Sequence, residues 1–226
     1  MKVSEYIDYL ITGECSKLAI ASVGDMSANP SPAPTAVQLV NQNKFINYVN
    51  LANLALHKRF HLLLKTLEMD NPLDGEEFTL PSNFLVPIHA YYTSDFDKVS
   101  IKDSSVKLVQ DIDEHVSILI NEPFKAVIKG TDGETPKRTQ ILLKYAAAPT
   151  KAKTTYADLK ISEVYTEALL YYAAHKAHVA ISGDMKDENN TYYLRYDASC
   201  KQLINSGMWG NNEIEINTKL EDNGFV

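Results

Sequence analysis

Cysteine is nearly absent from this chain of 226 residues: Cys15 and Cys200 stand far apart and in no metal-like spacing. That excludes a disulfide framework and a zinc ribbon, and it makes a reducing compartment the default. Positive charge is in deficit, with 22 lysines and arginines against 29 aspartates and glutamates and a formal net charge of −7. A protein held on nucleic acid by phosphate neutralisation would show the opposite balance. An acidic surface does suit a protein past which DNA must slide without sticking. No apolar run reaches 18 residues, so no transmembrane helix is expected. The N-terminal stretch is interrupted by Glu5, Asp8 and Glu14 and does not read as a signal peptide. The expectation is a soluble chain made in the cytoplasm, in which the sequon at Asn189–Thr191 carries no meaning. Phosphate-cradling glycine loops and the G-x-S-x-G elbow are also missing, which leaves nucleotide binding and serine hydrolysis unsupported.

What is present is ordinary globular material, 45% hydrophobic and 23% charged. Residues 3–22 place Tyr6, Ile7, Leu10 and Ile11 at helical spacing, with a break expected at Gly13. The stretch Gly24 to Ala36 holds Pro30, Pro32 and Pro34 and reads as a loop or exposed arm of polyproline character. From Thr35, a plausible N-cap, to about Met69, apolar residues recur at three and four, from Phe45 and Tyr48 through Leu56 to Leu63, Leu64 and Leu67. This predicts one long helical segment, with room for one bend or break, stopped by "DNPLDG". The period then shortens. "EFTLPSNFLVPIHAYYT", "KVSIKD", "HVSILIN", "FKAVIKG" and "QILLKYAAA" predict five or six strands between about residues 76 and 148. "GTDGE" at Gly130–Glu134 is the expected hairpin turn, and residues 104–114 are a loop or a short helix. Two helices follow, from Ser162 to Ser182 before Gly183 and from about Asp187 to Ser206 before Gly207. "GDMKD" joins them into an antiparallel hairpin.

The predicted fold class is therefore α+β. N- and C-terminal helices form a bundle, and an antiparallel β-sandwich or small barrel is inserted between them. The expected divisions are N-terminal helices over 1–72 with the arm at about 24–36, the β-domain over 73–149, the helical hairpin over 150–207 and a polar tail over 208–226. The alternating run Glu213–Asn217 in that tail could add a strand to a neighbour.

Chemistry is hard to find. His175 and His178 form a bare H-x-x-H pair on one predicted helix face, and zinc needs a third ligand that the sequence does not supply. His57 and His61 are four apart, but Lys58 and Arg59 stand where H-E-x-x-H would place an acid. "DIDEH" at Asp111–His115 reads as a solvated loop. No catalytic residue, metal site or cofactor is assigned. The feature above background is tyrosine, 13 in all, with a concentration on the two closing helices. Tyr171, Tyr172, His175, His178, Tyr192, Tyr193 and Tyr196 are the candidate interface residues, because tyrosine pairs large apolar area with a polar tip. Ala168, Ala173, Ala174 and Ala177 would let another helix approach closely.

The succession of segments resembles the adaptor, or head–tail connector, proteins of tailed bacteriophages. It runs from the helix "FINYVNLANLALHKRFHLLLKTLEM" (Phe45–Met69) to the strand "FTLPSNFLVPIHAYY" (Phe78–Tyr92). Next comes "ILLKYAAAP" (Ile141–Pro149), and last the helix pair with Arg195-Tyr196-Asp197 and Cys200. It covers roughly residues 36–207; the arm at Asn29–Pro34, residues 103–116 and the tail after Gly207 depart from it. The resemblance implies a structural virion protein at the head–tail junction. It would be one subunit of a homo-oligomeric ring, typically dodecameric, between the portal protein and the tail or nozzle. DNA would pass through the lumen unbound, and no membrane would be involved. Two other expectations stay open: a soluble ligand- or receptor-binding module with the β-domain on a helical stalk, and a metal-dependent hydrolase built on one of the histidine pairs.

Overall fold

Helix α1 (Val3–Thr12) buries Val3, Tyr6, Ile7 and Leu10, the i, i+3, i+4, i+7 stripe of an amphipathic helix. The computed structural model describes residues 1–18, 36–70, 75–92, 98–103, 116–122, 124–130, 140–182 and 188–207. The arm at Asn29–Pro34, the Thr35 cap, residues 104–114, Asp111–His115, the "GDMKD" link with Gly183, and the tail 208–226 lie outside the described residues. The described part is a mixed α+β chain of four α-helices and seven strands. It divides into two compact units, residues 1–56 with 151–226 and residues 57–150.

In the first unit, α2 (Ala36–Phe60) buries Asn41, Phe45, Ile46, Val49, Ala52, Asn53 and Leu56 along one stripe. Helix α3 (Thr166–Ser182) follows a single 3-10 turn at Glu163–Tyr165. Ser162 precedes that turn in extended conformation without a side-chain cap bond. Helix α4 (Glu188–Asn205) packs on α3 through buried Tyr196, Ser199, Cys200 and Leu203. It stops at Gly207, whose φ of +67° is the left-handed terminus that glycine reaches without a Cβ penalty.

The chain returning from the sheet is tied back by backbone pairing. Val3 and Ser4 N–H donate to the carbonyls of Ala157 and Thr155 at 3.0 and 2.9 Å, and Leu159 N–H donates to Met1 O at 3.1 Å. These bonds occupy donors that the first turn of α1 would otherwise leave open. The Glu5 carboxylate takes another, accepting from Lys2 N–H at 2.8 Å. Asn50 does the same for α2: its Nδ2 donates to Ala152 O at 2.9 Å, and its Oδ1 accepts from Ala152 N–H at 2.8 Å. Asn50→Ala removes both bonds and leaves a part-buried peptide unpaired, so a loss of about 1–3 kcal/mol is expected in urea denaturation.

The second unit is a ladder of seven strands in the order β1-β7-β3-β4-β5-β6-β2. They are β1 (Leu64–Met69), β2 (Glu77–Thr79), β3 (Phe84–Tyr92), β4 (Lys98–Asp103), β5 (Val116–Glu122), β6 (Lys125–Gly130) and β7 (Ile141–Ala147). Only Ala90↔Val99 and Tyr91↔Lys98 pair β3 with β4, so the ladder amounts to two small sheets joined at one strand. One core serves both, with Met69, Leu80, Ala90, Ile118, Ala126, Ile128, Ile141 and Leu143 all buried together.

Two expectations are corrected. The long helix does not reach Met69. It ends at Phe60, where His61 takes φ +50° and donates its N–H to His57 O at 3.0 Å, a left-handed terminus made without glycine. Leu64 and Leu67 are strand residues, paired antiparallel with Ala146 and Leu143 of β7. Of the expected hairpin turn "GTDGE", Thr131–Glu134 lie outside the described residues. The tight hairpin is β5–β6, closed by Glu122↔Lys125 with Phe124 at φ +66°. The sheet is also not wholly antiparallel, since β4 and β5 run parallel from Ser100↔Ser117 to Asp103↔Ile120. Among the described residues no pairing joins β1 to β2, so no closed barrel is formed there.

Candidate functional site

The closing hairpin carries all seven residues singled out in the sequence, and its structure sorts them into two clusters. The first is organised by the turn that ends α1. Gly13 has φ −108° and ψ −106°, its N–H donates to Tyr9 O at 2.9 Å, and a Cβ added there would stand 2.9 Å from the same oxygen. This turn presents the Glu14 backbone carbonyl to the hairpin. Tyr192 OH donates to that oxygen at 3.1 Å, and His178 Nε2 lies at the same distance. A carbonyl only accepts, so this contact is a hydrogen bond in the tautomer with the proton on Nε2. The rings of His178 and Tyr192 stack at 4.8 Å.

Arg195 closes the cluster. Its guanidinium lies 5.9 Å from the Tyr171 ring centre and 5.7 Å from that of Tyr192, and 3.8 Å from the Glu14 carboxylate. Both charged partners are substantially exposed, so the ion pair adds little. Tyr171 OH donates to the Glu167 carboxylate at 3.0 Å. Burial, and then the neighbouring Glu14, push Tyr192 from its ordinary 10.0 up to about 12. Burial and Glu14 likewise push the Cys15 thiol from 9.0 up to about 12.

Both groups are neutral when protonated, and both hold their protons more tightly in the folded chain. Their contribution is fully present below the unfolded values and is lost as pH rises through the folded ones. Melting temperature is therefore expected to fall progressively between about pH 9 and 12, and Tyr192→Phe with Cys15→Ala should flatten that decline in melts followed by circular dichroism. In the native chain Cys15 should resist iodoacetamide at pH 8, because its thiolate is scarce and its side chain is buried.

The second cluster lies along α3 and α4. Tyr172 and Tyr196 meet edge to face at 4.9 Å, His175 and Tyr193 lie 5.4 Å apart, and Tyr193 and Tyr196 are 5.9 Å apart. Lys176 Nζ sits 5.2 Å from the Tyr172 ring centre. His175 and His178 thus belong to different clusters and do not form a joint ligand pair. His57 is buried in the last helical turn while His61 has left the helix, so the i, i+4 face is not formed there either. Among the described residues no three of His, Cys, Asp or Glu come together as a metal site. No helix of the described residues is long and apolar enough to cross a membrane.

Of the seven, Tyr196 is in the core at 4% exposure, which corrects its reading as an interface residue. Tyr171, Tyr172, His175, His178 and Tyr192 are half-buried, and each has a partner within the chain. Neither Tyr171 nor Tyr172 is core: the first turns to Glu167 and Arg195, the second to Tyr196. Tyr193 is exposed. So are Leu194 and Ile204, at 60% and 39%, which spacing and composition did not single out. On the helical pattern they fall outside the tyrosine pairs, and only the seating of α4 on α3 shows them to be left over. No known protein family and no curated protein matches the chain.

Proposed function

We propose that the protein is a structural virion component, an adaptor subunit that joins the portal of a phage head to its tail and extends the DNA channel. The observation that carries the reading is the order of parts. A long helix, a sheet whose third strand opens at the end of "LPSNF" and whose last strand is "ILLKYAA", and a closing helical hairpin follow the connector succession, and the helices before and after the sheet belong to one compact unit. On this reading those helices form a bundle around the ring, and the two small sheets, which share one core, form an inserted sandwich turned to the tail or nozzle. The unit carries apolar residues that nothing among the described residues covers: Leu194 and Ile204 on α4, and Leu39, Val40 and Leu51 on α2, each between 39% and 60% exposed. Permanent ring contacts would cover such residues. An excess of acid suits a lumen that DNA crosses without being held. No cofactor and no catalytic group enters this function.

The test is electron microscopy of phage necks and of the purified protein mixed with portal. Rings, dodecameric in the connector pattern, are the expected result. Leu194→Asp with Ile204→Asp should abolish them while leaving the monomer's stability within about 0.5 kcal/mol per site, as exposed positions allow. A chain that stays monomeric with portal and is missing from the neck overturns the reading, and a monomer that retains a ligand would be the binding module instead.

A further inference from the structure

The ladder of strands ends on one side in β2 and on the other in β1. The β2 edge is short, three residues, and Glu77 on it pairs with Lys125 at 3.3 Å. Strand β1 has neither restraint. It runs for six residues in unbroken antiparallel register with β7, without a proline or a bulge. Ala147 N–H donates to Leu63 O at 2.8 Å. Antiparallel alternation then turns the N–H and C=O groups of Lys65, Leu67 and Met69 to β7 and those of Leu64, Thr66 and Glu68 outward. Thr66 and Glu68 are exposed, and among the described residues no hydrogen bond reaches the outward backbone groups. An edge of this length and regularity is a template for another strand, and chains that do not use such an edge normally shorten, kink or cover it. Leu67 shows the same incompleteness in packing. Its side chain rests on the buried cluster, on the face of Met69, yet it stays half-buried because β7 flanks it on one side only.

The sequence beyond α4 supplies a segment suited to complete that edge. From Glu213 to Leu220 two sets of residues alternate, Ile214, Ile216, Thr218 and Leu220 in one and Glu213, Glu215, Asn217 and Lys219 in the other. Such alternation gives an extended segment one apolar and one polar face. Laid along β1, the isoleucines fall beside Leu67 and continue the core, while the charged set falls beside exposed Thr66 and Glu68. The run begins six residues beyond Gly207, a connection that spans up to about 20 Å. We propose that the run Glu213–Leu220 of one copy adds as a strand to the β1 edge of the neighbouring copy. Main-chain bonds at Leu64, Thr66 and Glu68 give the affinity, and the isoleucines give the register. Edge and tail are unlike surfaces carried by every copy, so the contact runs head to tail, the kind from which rings close. The choice of a neighbouring copy as the occupant rests on the ring reading.

The test uses the full chain, dilute enough to be monomeric by light scattering, and a fluorescein-labelled peptide of residues 208–226, followed by fluorescence anisotropy. Saturable binding is expected with a Kd below about 1 mM, because a tail tethered to a ring neighbour is presented at an effective concentration on the order of 1 mM. The peptide with Ile214→Asp and Ile216→Asp should bind at least about tenfold more weakly. Thr66→Pro in the chain should weaken binding by at least about tenfold as well. The Thr66 N–H faces away from β7, so proline removes an edge donor and spares the β1–β7 pairing. Circular dichroism melts confirm that this variant is folded. Where it is not, peptides N-methylated at Ile214 and Ile216, or at Glu215 and Asn217, make the same cut from the other strand, and one of the two should fail to bind. The neighbour is identified with two full-length chains, one carrying Thr66→Cys and the other Glu213→Cys, Glu215→Cys or Asn217→Cys; the native Cys15 and Cys200 are buried. Mixed under mild oxidation, they should give a covalent dimer for at least one of the three. The proposal is overturned by no binding at about 1 mM peptide, by unchanged affinity in folded Thr66→Pro, or by cross-links that form only when both cysteines are in one chain. The peptide measurement reads tail and edge alone, so its failure leaves rings formed with portal untouched, and a failure to form rings leaves the peptide result standing.

Discussion

Replacing Leu143 by alanine is expected to lower the stability of the β unit by about 2–5 kcal/mol. Leu143 is wholly buried near the centre of β7, the strand with a partner on each side. In register it faces Leu67 of β1 and Ala90 of β3. It also belongs to the cluster that gathers Met69, Ile118, Ile128 and Ile141 from four different strands. Truncation removes the transfer free energy of the lost methyl groups and leaves a cavity that paired strands on both sides prevent from closing. Urea or guanidinium denaturation should show the midpoint falling with the slope unchanged. Leu143→Met keeps the volume and should cost less than about 1.5 kcal/mol. A loss under 1 kcal/mol for the alanine variant would mean that the two small sheets do not share a packed interior.

The helical unit has its own most sensitive position. Phe45→Ala is expected to cost about 3–5 kcal/mol. Phe45 is wholly buried on α2, one helical turn from Val49, and it meets Tyr48 edge to face at 6.2 Å. The loss combines the largest apolar side chain of the α2 stripe with an aromatic pair worth about 0.5–1.5 kcal/mol beyond its area. Thermal melts of the variant should show the deficit directly. Tyr48→Leu, which removes only the ring contact at a half-buried position, should cost a fraction of that amount.

The readable parts of the sequence were those whose physics is local. The stripe Val3, Tyr6, Ile7 and Leu10 announces α1, Gly13 announces its end, and Gly207 announces the end of α4. Five or six strands were expected between about residues 76 and 148, and six lie among the described residues there. The run from His61 to Met69 was illegible because its leucines fit either period. What decides them is β7, some seventy residues later, together with a histidine in a left-handed conformation that no glycine marks. The parallel pairing of β4 with β5 is likewise a property of distant partners. At the hairpin, periodicity identified the tyrosines as unusual but could not divide them, since the division depends on the Glu14 carbonyl, a backbone atom brought from the other end of the chain.

The backbone bonds that fasten Val3, Ser4 and Met1 to residues 155–159, and the side-chain bonds of Asn50 to Ala152, also set a timetable for synthesis. The first two helices leave the ribosome with their apolar stripes complete and their partners not yet made, because the whole β unit is translated in between. At roughly 5–20 residues per second that wait lasts seconds, whereas hydrophobic collapse takes microseconds. The β unit is continuous in sequence and can condense as soon as β7 emerges, so it is placed to fold first. Helix α1 stays unmatched until α3 arrives, and Asn50 of α2 until Ala152 does. Nascent chains stalled just after β7 has emerged should therefore show protease-resistant sheet beside cleavable N-terminal helices. Chaperones that shield apolar helix faces should find this chain through its first sixty residues.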